Sequence, residues 1–252
     1  FDGGVSDWGN VVWAPDGSRV AFPEARLNPD SGVRFAVNIG DAAQPRSARE
    51  VMAGDRRQLP TDWTADGRLL FTEHHPDTGA DLWYVLVGRN GSVGEPEPIR
   101  RDDFDTSGAR VSPNGRWVAY VSNETGRFEV WVQPFPGAGE RWRVSSSATE
   151  SVQPSWSADG AELYYVTNSG RWLMVADVVT PSVPGASPVG DSRLLLDSWI
   201  SQNDPIFASV FYASTGDGEQ FLINGLYDPT EPALEVLSRW ESVLEATPAG
   251  GR

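Results

Sequence analysis

The chain has 252 residues, no cysteine, and a formal net charge of −15 from 20 basic and 35 acidic residues, every basic one an arginine. The lack of thiols excludes disulfides, thiolate metal sites and cysteine nucleophiles. The excess of acid repels a phosphate backbone and argues against nucleic acid as a partner, and no apolar run is long enough to insert this segment into a membrane as a helix.

One phrase recurs along the chain. It reads Trp13-Ala14-Pro15-Asp16-Gly17, Trp63-Thr64-Ala65-Asp66-Gly67, Val111-Ser112-Pro113-Asn114-Gly115 and Trp156-Ser157-Ala158-Asp159-Gly160, with a worn fifth copy at Tyr212-Ala213-Ser214-Thr215-Gly216-Asp217-Gly218. The turn glycines Gly17, Gly67, Gly115, Gly160 and Gly218 lie 50, 48, 45 and 58 residues apart, a period that marks a repeat architecture. Asp-Gly or Asn-Gly between apolar runs is a hairpin signal, because glycine takes positive φ freely and Asp or Asn tolerates it.

Each repeat then follows the same plan. A β-type run comes after the turn: Val20–Phe22, Leu69–Phe71, Trp117–Tyr120, Leu163–Val166 and Phe221–Ile223. A polar loop leads to a third run at Phe35–Val37, Leu82–Val85, Val130–Val132 and Leu173–Val175. A more polar fourth run closes the unit at Arg49–Val51, Pro98–Arg100, Trp142–Val144 and Arg193–Leu196. Four short strands cannot bury both faces of their sheet alone, so neighbouring units must stack. Radial stacking of four-stranded antiparallel sheets gives an all-β propeller. The expected organisation is one propeller over 1–246, with blades near 5–54, 55–103, 104–149, 150–200 and 201–246 and a disordered tail at 247–252. The abrupt start at Phe1 predicts a piece of a longer protein, with five repeats visible and six in the intact ring as the alternative.

Two stretches carry a resemblance. Gln153-Pro154-Ser155-Trp156-Ser157-Ala158-Asp159-Gly160 with Glu162-Leu163-Tyr164-Tyr165 resembles the TolB-like (WD-type) repeat. The longer run from Val111 to Gly137, and the ending Leu237-Ser238-Arg239-Trp240, resemble the C-terminal propeller of bacterial serine/threonine kinase-like receptors, with Arg239 where that group often has Asn. The resemblance implies a sensor or interaction module, attached to a signalling module and placed outside the cytoplasm. None of the kinase's own motifs is present in this chain.

Propellers take ligands at the mouth of the central channel, where the innermost strands begin. The entry segments supply Asp7, Trp8, Asn10, Gln58, Asp62, Asp105, Arg110, Glu150, Gln153, Asn203 and Asp204. Converging from five blades, these side chains form a polar ring suited to a protein, a peptide or a small polar ligand. A competing reading uses the carboxylates of Asp7, Asp62, Asp105, Glu150 and Asp204 as a glycosidase acid–base pair, and a second makes the chain the propeller of a prolyl oligopeptidase-type peptidase. Against both stands the plain role of an acid before a strand, which fixes turns and caps backbone N–H groups. His74 and His75 point in opposite directions on an extended chain and make a poor metal pair. Arg101-Asp102-Asp103-Phe104-Asp105 lacks the spacing of a calcium loop. The sequence therefore predicts a chain that is not an enzyme and has no cofactor.

Overall fold

A computed structural model of the protein describes residues 4–5, 11–28, 32–137, 139–145, 148–167, 171–183, 185–197, 212–215, 220–223 and 236–238. Among these residues there is no helix. They form five antiparallel sheets in chain order, the all-β propeller architecture expected from the repeat.

The first blade holds β1 (Gly4–Val5), β2 (Val12–Trp13), β3 (Arg19–Asn28), β4 (Gly32–Asp41) and β5 (Gln44–Gly54). Strands β1 and β2 share one edge of β3, where Gly4 pairs with Arg26 and Val12 with Ala21, so they are two pieces of one inner strand. The second blade is β6 (Gln58–Trp63), β7 (Arg68–His75), β8 (Gly79–Leu86) and β9 (Glu97–Arg100). The third is β10 (Thr106–Val111), β11 (Trp117–Ser122), β12 (Glu129–Pro134) and β13 (Trp142–Arg143). The fourth is β14 (Ser151–Trp156), β15 (Glu162–Thr167), β16 (Trp172–Val178) and β17 (Val189–Asp197). The described part of the fifth is β18 (Tyr212–Ser214), β19 (Gln220–Ile223) and β20 (Val236–Ser238).

The recurring phrase is the turn between the first and second strands of a blade. Gly17, Gly67, Gly115 and Gly160 all have positive φ, between 68° and 93°. Each glycine N–H donates back three residues, to Ala14, Thr64, Ser112 and Ser157, at 2.8–3.0 Å. Asp16, Asn114 and Asp159 steady the turn by accepting the N–H two residues on, at 2.9–3.0 Å.

The core is divided among the seams between blades, and strand alternation decides which seam each side chain enters. Leu69 and Phe71 pack back on Val12, Ala21, Val37 and Ile39 of the first blade. Leu70, between them, packs forward with Leu82 and Tyr84 on Val118 and Tyr120. Ala119, Val130 and Val132 meet Leu163 and Tyr165 at the next seam. Tyr164 and Val166 meet Tyr212 and Phe221 at the fourth, where the Tyr164 and Phe221 rings stand edge to face at 5.0 Å. Fully burying one such aliphatic or aromatic side chain contributes about 1.5–3 kcal/mol, so the seams hold the stack together.

Candidate functional site

The inner strands carry a shared irregularity. Strand β6 is bulged between Pro60 and Asp62, β10 between Ser107 and Arg110, and β14 between Val152 and Ser155. Counted back from the conserved turn geometry, Pro60, Gly108 and Gln153 occupy one position of the repeat. Gly108 has φ +66°, and Gln153 has φ +56°, the one described non-glycine residue with positive φ. A bulge bends its strand and re-aims the side chains beside it, and bulges concentrate next to functional sites. A side chain held in the left-handed region costs on the order of 1–3 kcal/mol.

The bulges are tied together across the seams. The Val111 N–H donates to Asp62 Oδ2 at 2.6 Å, and the Trp63 N–H donates to Asp62 Oδ1 at 2.9 Å. The Trp156 indole N–H donates to the Arg110 carbonyl at 2.9 Å. The Tyr212 hydroxyl donates to the Gln153 carbonyl at 2.9 Å. One chain of contacts thus runs from the second blade to the fifth. Loss of water pushes the Asp62 carboxyl up, against the opposing pull of the Arg110 charge and the two peptide N–H groups. Burial likewise pushes the Tyr212 hydroxyl up, and the charge of Arg110 opposes it. Arg110, on the third blade, thus bears electrostatically on groups of both the second and the fifth blades.

The other candidates lie at the strand entrances and do different work. Asp105 Oδ1 accepts the Ala80 N–H at 2.9 Å, and Asp105 Oδ2 accepts from the Asn123 amide at 3.2 Å. Its carboxylate is a clamp on the β7–β8 turn of the neighbouring blade. Gln58 donates through Nε2 to Glu73 at 2.9 Å, and its buried Oε1 has no partner. Glu150 is half-buried, and its carbonyl accepts from the Thr167 hydroxyl at 3.0 Å. Asp7, Trp8, Asn10, Asn203 and Asp204 fall outside the described residues. The structure so joins the Asp62 carboxylate and the main-chain carbonyls of Arg110 and Gln153 in one network and sets Gln58, Asp105 and Glu150 apart from it.

Two members of the network escape a reading of the sequence. Trp156 and Tyr212 read as packing aromatics, yet each spends its polar atom on an inner-strand carbonyl. For Trp156 its place at the start of the repeated phrase was the available signal; Tyr212 stands two residues earlier in the observed register. His74 and His75 end β7, and His75 Nδ1 accepts the Asp77 N–H at 3.1 Å. Among the described residues no cluster of His, Cys, Asp and Glu has the makings of a metal site, and no helix is long and apolar enough to cross a membrane.

No protein-family model matches the chain, and no curated protein matches it in sequence. Solved structures do. TolB from Acinetobacter baumannii superposes over 84% of this chain and 47% of its own, with a TM-score of 0.60 at 16% identity. The fold is that of a TolB-like propeller. An oligogalacturonate lyase in complex with manganese superposes over 96% of this chain and 66% of its own, with a TM-score of 0.60 at 15% identity. A puromycin-hydrolyzing peptidase of Mycobacterium tuberculosis covers 91% of this chain and 37% of its own, with a TM-score of 0.58 at 16% identity. The chain thus spans less than half of the TolB and peptidase structures and about two-thirds of the lyase. Identities this low establish the fold and nothing finer. They also correct one expectation. The sequence predicts a chain that is not an enzyme, but a lyase and a peptidase carry this same fold, so the TolB-like propeller gives no ground for setting catalysis aside.

Proposed function

We propose that this chain is a ligand-binding TolB-like propeller whose ligand sits against the inner strands at Asp62, Arg110 and Gln153. The observation that carries the reading is the repeated bulge. Three consecutive inner strands break their ladder at the same position, and hydrogen bonds across the seams fix those breaks. Rigid placement of a few polar groups at a concave wall is what a specific small-molecule site needs. The run from Val111 to Gly137, similar to kinase-linked propellers, supports a role as the sensor or interaction domain of a larger bacterial signalling protein, outside the cytoplasm.

The test is a binding screen by calorimetry with the purified chain, using oligosaccharides and short peptides, in parallel with Asp62→Ala and Gln153→Gly. A ligand that binds the wild type and loses tenfold or more in affinity in either variant supports the reading. Ligands that bind all three proteins equally place recognition elsewhere. Oligogalacturonate and puromycin belong in the same screen, with turnover followed as well as binding, because the lyase and the peptidase share the fold.

A further inference from the structure

Most of the described arginines of this acidic chain are already satisfied. Arg26, Arg34, Arg56, Arg100 and Arg171 each face a carboxylate oxygen at 2.5–3.0 Å. Arg19 donates to the Gly88 carbonyl at 3.2 Å and lies over the Trp63 ring. Arg110 differs. It is half-buried on the wall of the inner strands, and among the described residues its guanidinium has no carboxylate or carbonyl acceptor.

The acid of the network, Asp62, spends its two oxygens on the Trp63 and Val111 N–H groups, and no hydrogen bond joins it to Arg110. The Tyr212 oxygen is turned as a donor to Gln153. The Arg110 carbonyl is held by Trp156, so the backbone that carries the side chain is fixed. At the same position of the repeat stand Val12, Asp62, Ser155 and Ala213, and none of them brings a second cation. What remains is one half-buried fork of five N–H donors on an inner strand, without an acceptor among the described residues. A partly desolvated guanidinium in that condition favours a planar oxyanion, which it can hold through two parallel hydrogen bonds.

We infer that Arg110 is the anchor for a carboxylate on the ligand of this channel. The inference rests on the binding reading above and narrows its ligand to a small acid, such as an acidic sugar or a compound with a free carboxyl end. The acidic surface elsewhere repels such ligands, so selectivity comes from this one cationic position.

Citrate serves as the probe, with chloride at matched ionic strength as the control. In ¹⁵N-arginine-labelled protein the Arg110 Nε–H signal is assigned by its loss in Arg110→Gln. It is expected to move saturably as citrate is added and to stay still in chloride. Citrate affinity should fall at least tenfold in Arg110→Gln, partly recover in Arg110→Lys, and stay unchanged in Arg116→Gln, which removes an exposed arginine of β11's turn. A signal that does not move, or equal citrate affinity in the wild type and Arg110→Gln, overturns the inference. A neutral ligand lost in Asp62→Ala but retained in Arg110→Gln would also overturn it while leaving the channel reading intact.

Discussion

Trp13 and Trp63 hold the same place in successive repeats, yet Trp63 is 4% exposed and Trp13 is 59% exposed. Trp63 reaches back onto the first blade, against Val12, Ala21 and Val37. Trp13 projects to the equivalent side of its own blade, where no described blade stands. The far end of the stack mirrors this. Leu222, whose counterparts Leu70 and Ala119 are wholly buried, is 46% exposed. One repeat position therefore contributes stability only where a neighbouring blade covers it.

Truncating the two tryptophans should separate them. Trp63→Ala empties a filled seam and removes the ring under Arg19, and is expected to cost about 3–5 kcal/mol. Trp13→Ala removes a largely hydrated ring and should cost under about 1 kcal/mol. Urea unfolding of both variants measures the difference. Equal losses would mean that Trp13 is covered in solution.

Asp62 gives a pH-dependent prediction. Its carboxyl is held above the ordinary value of 3.8 in the folded chain. The fold therefore prefers the protonated acid. That contribution is fully present below the unfolded value and is lost as pH rises through the folded one. Asp62→Asn cannot titrate, and its amide oxygen can serve only one of the two peptide N–H groups, a loss of about 1–3 kcal/mol. The wild-type advantage over Asp62→Asn should shrink between pH 4.5 and pH 7. An advantage that is flat or grows over that range contradicts the assignment.

The fold was legible because its signals are local and repeated. Asp-Gly and Asn-Gly turns, and alternation such as Leu69-Leu70-Phe71, each decide a hairpin or a seam within a few residues. The site was legible only in part. Asp62, Asp105 and Gln58 are all polar residues near the start of an inner strand, and the sequence treats them alike. What distinguishes them is long-range: Asp62 meets Val111 across 49 positions, and Asp105 meets Ala80 across 25. The bulges were invisible for a related reason. A one-residue shift of register shows itself only when the partner strand is in place, and Gln153 carries no glycine to advertise its positive φ.

Gly79 and Asp105 form another close long-range pair. Gly79 has φ +82°, and a Cβ on it would lie 2.3 Å from Asp105 Oδ1. Gly79→Ala therefore meets backbone strain and a displaced clamp together, and should cost about 2–4 kcal/mol. Asp105→Ala loses the clamp alone, for about 1–3 kcal/mol. In the double variant the clash is gone, so the cost should fall short of the sum. A thermodynamic cycle on the four proteins tests this, and strict additivity would show that the two residues do not interact.

Charge pairs should divide by burial. Glu124 Oε2 accepts from both Arg100 and Arg141 at 2.6 Å, and the side chains of Glu124 and Arg100 are only 10% and 11% exposed. Arg100 lies over Tyr120, whose hydroxyl burial pushes up to about 12, so that ring stays neutral and cannot replace the lost acid. Removing one member of a buried pair typically costs about 3–5 kcal/mol. Asp102 still faces Arg100 at 2.6 Å, so Glu124→Ala should cost less, about 2–4 kcal/mol. Arg34 and Glu50 are 44% and 38% exposed, and Glu50→Ala should cost no more than about 1 kcal/mol and lose even that in high salt. Urea unfolding at 0.05 and 1 M sodium chloride separates the two cases. A Glu124→Ala loss that disappears in high salt would place the Arg100–Glu124–Arg141 cluster in water rather than in the seam between the second and third blades.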